Sequence, residues 1–171
     1  MSDVPYFLSD PVNEVKFIVV DAYPTVVRKV VDYPMRDMTS IYDSTFSVLF
    51  PALSREGLHP IGPAFDIHFR MPTDTATFEL GFPVNNALDK TLTEASGIVL
   101  EPSTLPGGTI ARISAFGPYD NLPQAWGAFM EAIAAAGKEP ILPFWQIYVT
   151  EPSPALDPRL LRTDLVTLVK G

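Results

Sequence analysis

The sequence predicts an α+β fold built from two pseudo-symmetric modules, each with the order strand, helix, strand, strand. Three observations support this: an ungapped internal repeat, several segments of alternating polar and apolar residues, and two stretches of helical periodicity that each end at a glycine. Alternation along strands is typical of an antiparallel sheet with one covered face. We therefore expect a mainly antiparallel sheet with the helices on one face and a ligand groove on the other.

The internal repeat is clearest just after each helical stretch. Residues 57–72 align without a gap with residues 137–152, and Gly, Pro, Ile, Pro, Ile and Pro recur in register. The matched pairs used below are Phe65 with Trp145, Asp66 with Gln146, and His68 with Tyr148. We interpret residues 1–171 as a single domain made of repeats at about 15–84 and about 105–170, whose seam is a natural place for a ligand.

Strands are predicted where β-branched or alternating residues cluster between turn residues. In the first half they are expected at 26–31, 65–69 and 77–84, preceded by an additional strand at 15–20, with Tyr23 and Pro24 as punctuation after that additional strand. In the second module they are expected at 109–116, 145–149 and 164–169. Residues 85–108 show no clear periodicity and are predicted to be an irregular crossing between the modules.

Two helices are predicted from apolar residues that recur every three to five positions. The first spans 40–56 and is followed by Gly57, and the second spans 122–136 and is followed by Gly137. Glycine is common just after a helix because it adopts a left-handed backbone without strain. Pro51 lies inside the first pattern and is expected to kink or interrupt that helix.

Composition excludes several classes of function. The chain has 171 residues, a net charge of −8, no cysteine and two histidines, His59 and His68. The charge argues against direct nucleic-acid binding, which needs clustered Lys and Arg. The absence of cysteine leaves no thiolate metal site, so no metal and no cofactor are expected. The chain has no apolar run of about 18 residues, so no membrane span is predicted. The first residues lack a signal-peptide pattern, so a cytoplasmic location is the default expectation.

Strand alternation sorts the polar residues of the closing strands by side. We assign Trp145 and Ile147 to the helix side, which leaves Gln146 and Tyr148 on the groove side. The repeat then places Asp66 and His68 at the same groove positions in the first module. The predicted ligand-binding quartet is therefore Asp66, His68, Gln146 and Tyr148, although a histidine in such a place is more often a polar packing residue than a ligand.

Glu79 is the other candidate acid. Phe78, Leu80 and Phe82 form an apolar face, so Glu79 points the other way with Gly81 and aligns with Asp164 of the second module. A carboxylate in an apolar groove has a raised pKa and suits general acid or base work. Tyr148 is predicted to assist as a hydrogen-bond donor, and a solvent-facing acid is the ordinary alternative for both Glu79 and Asp66.

The second module resembles the GyrI-like small-molecule-binding family, which includes the effector-binding domains of multidrug-sensing regulators. The resemblance rests on residues 105–120 with their Gly-Pro-Tyr turn, on Trp126 in the following helix, and on residues 145–152 and 161–165. It covers roughly residues 15–170. It implies a groove with aromatic walls and a buried acid that attracts cationic or planar aromatic compounds. Tyr119 and Trp145 are also counted among the expected ligand-binding residues. The family often has that acid where this chain has Gln146.

The leading functional hypothesis is a stand-alone binding protein for hydrophobic, aromatic or cationic small molecules, in sequestration, sensing or detoxification. Only about 14 residues precede the first predicted strand, so we expect no separate DNA-binding module. The resemblance also implies two alternatives: a hydrolase that opens strained cyclopropane-bearing aromatic toxins, and a protein that interacts with DNA gyrase. Haem binding is a weaker alternative, because two histidines and no cysteine offer few axial ligands.

Overall fold

The computed structural model describes residues 4–150 and 155–170, which contain nine strands and two α-helices. In chain order the strands are β1 (Lys16–Val20), β2 (Tyr23–Pro34), β3 (Phe65–His68), β4 (Thr75–Pro83), β5 (Leu92–Thr93), β6 (Val99–Leu105), β7 (Gly108–Phe116), β8 (Glu139–Tyr148) and β9 (Arg162–Lys170). The helices are α1 (Met38–Arg55) and α2 (Leu122–Ala135). All the pairings between these strands given below are antiparallel, and the α+β class predicted from the sequence is confirmed.

The chain divides into two compact units. The central unit is Asp21–Gly107, with strand order β3-β4-β2-β6-β5 and helix α1. The terminal unit combines residues 4–20 with the described residues from 108 onward, with strand order β1-β7-β9-β8 and helix α2. Each unit thus contains one predicted strand-helix-strand-strand module.

One strand of each unit comes from the chain segment that precedes the other module. β1 precedes β2 in the sequence but pairs with β7, and β6 precedes β7 but pairs with β2. The prediction that residues 85–108 are irregular was therefore wrong, since they include β5 and β6. Pro102 obscured β6, but a proline is tolerated in a strand that is paired mainly on one side, and β5 pairs only with Val99 and Leu100.

The helices agree with the predicted periodicity to within two residues at each end. After α1, Gly57 has a φ of +73°, and the Leu58 N–H donates to the Leu53 carbonyl at 2.9 Å. After α2, Gly137 has a φ of +78° and an equivalent bond follows. Both ends therefore have the glycine-based cap that the sequence predicted. The expected interruption at Pro51 was wrong, because α1 continues through it.

Tyr23 and Pro24 belong to β2 and do not separate it from β1. Tyr23 pairs with Leu105 and Pro24 with Thr104, so β6 supplies the partner that extends β2 toward its beginning. This extension was not predicted because β6 itself was not predicted.

Each helix packs on one side of its own unit's strands. In the central unit, α1 residues such as Leu49 and Ile41 pack with even-numbered strand residues such as Val26 and Phe78. In the terminal unit, Phe129 and Ile133 of α2 pack with Ala111, Leu165 and Val169. Because strand side chains alternate, the residues between these positions face away from the helix.

Gly81 marks a close approach of two strands in the central unit. A Cβ atom at this position would lie 2.0 Å from the Val26 carbonyl oxygen, so any side chain would collide with the β2 backbone. Glycine is therefore required for β4 to lie this near β2.

No helix in the described residues has both the length and the apolar character needed to cross a membrane.

Candidate functional site

Asp66 and His68 of β3 face α1, so the prediction that they lie on the side away from the helices was wrong. The Tyr42 hydroxyl on α1 donates to Asp66 Oδ2. His68 Nε2 lies 3.3 Å from Asp66 Oδ1, and the imidazole stacks on Phe78 with ring centroids 5.2 Å apart. Both polar side chains are buried. They join helix to sheet, and their predicted role in ligand binding stays a prediction.

Gln146 and Tyr148 also lie on the helix side, here facing α2. The Trp126 Nε1–H on α2 donates to Gln146 Oε1 at 2.8 Å, and Gln146 Nε2 donates to the Tyr148 hydroxyl at 3.1 Å. The rings of Tyr119 and Tyr148 meet edge to face at 5.7 Å. The assignment of Gln146 and Tyr148 to the opposite side was therefore wrong, and Trp126 serves as an anchor as well as a core residue.

Trp145 faces away from α2 and is fully buried there. Its indole Nε1–H donates to the Tyr6 hydroxyl at 3.0 Å. The assignment of Trp145 to the helix side failed because the N-terminal residues supply a second apolar cover. Tyr6 and Phe7 are both buried, so a large aromatic side chain is accommodated on either side of this sheet.

Glu79 lies on the side of the central unit that faces away from α1, as the sequence predicted. The Ser103 hydroxyl on β6 donates to Glu79 Oε1 at 2.5 Å. Burial raises the pKa of Glu79, while the Ser103 hydrogen bond and the charge of Lys29 oppose that rise. Within the described residues Glu79 has no ion pair, and Lys29 lies 3.9 Å from Glu101 instead. The result is a nearly buried carboxylate, 9% exposed, held by one hydroxyl group.

Asp164 occupies the equivalent position in the terminal unit. Glu79 pairs with Ile67 and Asp164 with Ile147, so the strand registers confirm the alignment inferred from the repeat. Asp164 is fully buried. It accepts from Arg162 Nε at 2.9 Å and Nη2 at 2.8 Å, and from Arg112 Nη2 at 3.2 Å. The two equivalent acids therefore differ in whether a cation neutralises them.

Several of these residues were missed by sequence reasoning. Arg112 had a signal, since it is a charge within an otherwise apolar strand and such residues are buried only when paired. Ser103 had none, because it lies in the segment predicted to be irregular. No group of three or more His, Asp or Glu in the described part of the chain is arranged to hold a metal ion.

No protein-family model matches this chain, and no curated protein matches it. Solved structures do match in fold. EcmrR in its complex with DNA has a TM-score of 0.69 at 16% identity over 92% of this chain, and this chain spans 57% of the EcmrR chain. A hydrolase from Listeria innocua has a TM-score of 0.64 at 12% identity, covering 94% of each chain. SAV2435 bound to tetraphenylphosphonium has a TM-score of 0.59 at 13% identity, covering 92% of this chain and 94% of that one.

These identities establish a likeness of fold alone. The fold is consistent with the GyrI-like fold expected from the sequence, and one of the similar structures carries a hydrophobic organic cation.

Proposed function

We propose that this chain is a small-molecule-binding protein of the GyrI-like type and that its ligand is a hydrophobic cation held by Glu79. The observation that carries the proposal is the contrast between Glu79, which has no ion pair in the described residues, and Asp164, which has two arginines. A buried carboxylate without a cation is energetically unfavourable, and a bound cation removes that penalty. The fold likeness to SAV2435, which binds tetraphenylphosphonium, supports the same ligand class.

The surroundings of Glu79 favour a cation whose charge is spread over an apolar body. Its direct strand partners on the side away from α1 are the buried Ile67 and the half-exposed Lys29. Next to them on the same side lie Phe65 and Val27, both buried. Apart from Ser103, the described residues offer Glu79 no hydrogen-bond donor. A strongly hydrated cation such as a primary ammonium would lose its water without replacement, whereas a quaternary ammonium or phosphonium loses little.

Titration calorimetry with tetraphenylphosphonium tests the proposal. Wild-type protein should bind, and Glu79→Gln should weaken the Kd roughly tenfold to hundredfold, because it removes one charge of a desolvated pair. Glu101→Gln is the matched control: it removes a half-buried carboxylate from neighbouring β6 that already has Lys29 nearby. Triphenylphosphine oxide serves as the neutral ligand and should bind both proteins alike. Equal affinity of wild type and Glu79→Gln for the cation would overturn the assignment.

Hydrolysis at the same acid is the second candidate, favoured by the raised pKa of Glu79. A carboxyl group whose pKa is moved toward neutrality is suited to general acid or base catalysis, typically worth about 10²–10⁴-fold in rate. With a cyclopropane-bearing aromatic electrophile as substrate, Glu79→Gln should abolish turnover while leaving the fold intact. The predicted assistance of Tyr148 assumed a groove-side position, whereas its hydroxyl accepts from Gln146 and its ring meets Tyr119. If the protein binds the phosphonium but shows no turnover, hydrolysis is refuted and binding is the function that remains.

A further inference from the structure

The side of the terminal unit that faces away from α2 contains more positive than negative charge. Two guanidinium groups, Arg112 and Arg162, share the single carboxylate of Asp164. Arg112 is 4% exposed, and Lys16 is its partner in the β1–β7 register. A buried charge without a counter-charge is costly. In a chain with a net charge of −8, this cluster is a local excess of positive charge.

Arg112 also has a donor that nothing accepts. Its only hydrogen bond among the described residues runs from Nη2 to Asp164, and its buried Nε–H has no partner. Buried polar groups are almost always hydrogen-bonded, so an unpaired donor in an arginine that already faces a carboxylate points to a further acceptor. The edge formed by Nε–H and an Nη–H matches the two oxygens of a carboxylate.

The N-terminal segment, residues 5–12, already contacts this side of the unit with the groups that such a ligand would carry. The Tyr6 hydroxyl accepts from Trp145, and the Ser9 carbonyl accepts from Arg162 Nη2 at 2.9 Å. Val12 and Ser114 exchange two hydrogen bonds, at 3.0 and 2.9 Å. The segment therefore presents an aromatic ring to Trp145 and an acceptor oxygen to an arginine.

We propose that this side of the terminal unit is a binding site for a small aromatic carboxylate and that the N-terminal segment competes with the ligand for it. The carboxylate would accept from Arg112 and Arg162, supplying the missing negative charge. The ring would lie toward Trp145, which shares a row across the sheet with Arg112 through Val166. Tyr6 and the carbonyl of Ser9 are the groups it displaces. The proposal does not depend on Glu79.

Benzoate is the probe, and the ¹H–¹⁵N signal of the Arg112 Nε–H group is the readout in full-length wild-type protein. Benzoate should shift this signal downfield in a saturable manner as the Nε–H gains an acceptor. Benzamide, which has the ring without the charge, and sodium chloride at equal ionic strength should not. A signal that does not move with benzoate, or moves equally with chloride, would overturn the proposal without any variant having to fold.

Two variants separate a ligand site from a structural cluster. Tyr6→Phe removes the hydrogen bond from Trp145 that holds the segment and should tighten benzoate binding about threefold to tenfold. Arg112→Lys keeps the charge but removes the Nε–H fork and should weaken binding at least about tenfold. Arg159→Gln, at an exposed arginine, is the control and should change nothing. Weaker benzoate binding by Tyr6→Phe would refute competition by the segment.

Discussion

Glu79 and Asp164 occupy equivalent positions in the two units, yet within the described residues only Asp164 forms ion pairs. Asp164 lies between Arg112 and Arg162 and is closed to solvent, whereas Glu79 is held by the Ser103 hydroxyl and remains slightly exposed. In the terminal unit the acid at this position links β7 and β9 through its ion pairs with Arg112 and Arg162. The central unit keeps an acid of raised pKa there, and such perturbed acids are typical of functional sites.

The same two units differ at a second equivalent position, and this difference gives the largest expected effect. Gly81 corresponds to Val166, since Gly81 pairs with Phe65 and Val166 pairs with Trp145, the matching residue of the repeat. Gly81→Ala should destabilise the fold by more than about 5 kcal/mol or prevent folding, because its Cβ would meet the Val26 carbonyl. Urea unfolding measures the change.

Gly127→Ala is the matched control for Gly81→Ala. Nothing lies within 4 Å of a Cβ at Gly127, which is inside α2. Alanine should therefore stabilise the protein by about 0.5–1 kcal/mol through helix propensity. If Gly81→Ala proved as stable as wild type, the close approach of β2 and β4 would be refuted.

The two acids themselves provide the next prediction. Asp164→Asn should destabilise the protein by about 3–5 kcal/mol, because it leaves the buried Arg112 and the partly buried Arg162 without their carboxylate. Glu79→Gln keeps an acceptor for Ser103 and removes a desolvated charge, so it should leave the unfolding free energy within about 1 kcal/mol of wild type. Both are measured by urea unfolding at neutral pH. Equal destabilisation by the two substitutions would show that Glu79 is also structural.

Sequence reasoning placed Glu79 correctly and Gln146 wrongly, and the reason is physical. Three apolar residues flank Glu79 at alternate positions, Phe78, Leu80 and Phe82, so only one side of β4 could meet the helix. In β8 large aromatic side chains lie on both sides, because Trp145 bonds to the buried Tyr6 on one side while Phe144 contacts Trp126 on the other. Alternation shows which residues share a side, but it does not show which side a distant segment covers.

The pairing of β1 with β7 and of β6 with β2 could not be predicted, for a related reason. Local pattern predicted most strands and both helices, because each needs only its own apolar period. Whether β1 pairs with β2 or with β7 depends on contacts distant in sequence, and β6 had no strong period of its own. The hydrogen bond from Ser103 to Glu79 could therefore not be predicted from the sequence.

The smallest expected effect is the pH dependence that Glu79 gives to stability. Its pKa is raised in the folded protein by burial, so the folded state holds the proton more tightly than the unfolded chain does. The resulting stabilisation is fully present below the ordinary glutamate pKa and is lost as the pH rises through the raised value. Wild type should thus lose unfolding free energy relative to Glu79→Gln over that interval, and then run parallel to it at higher pH. Urea unfolding of both proteins across a pH series measures the difference.

Tetraphenylphosphonium binding should change with pH in the opposite direction to stability. Its affinity should rise as Glu79 loses its proton, because only the ionised carboxylate attracts the cation. A difference curve that rises with pH would mean that a cation within the protein already neutralises Glu79, and the contrast with Asp164 would then disappear.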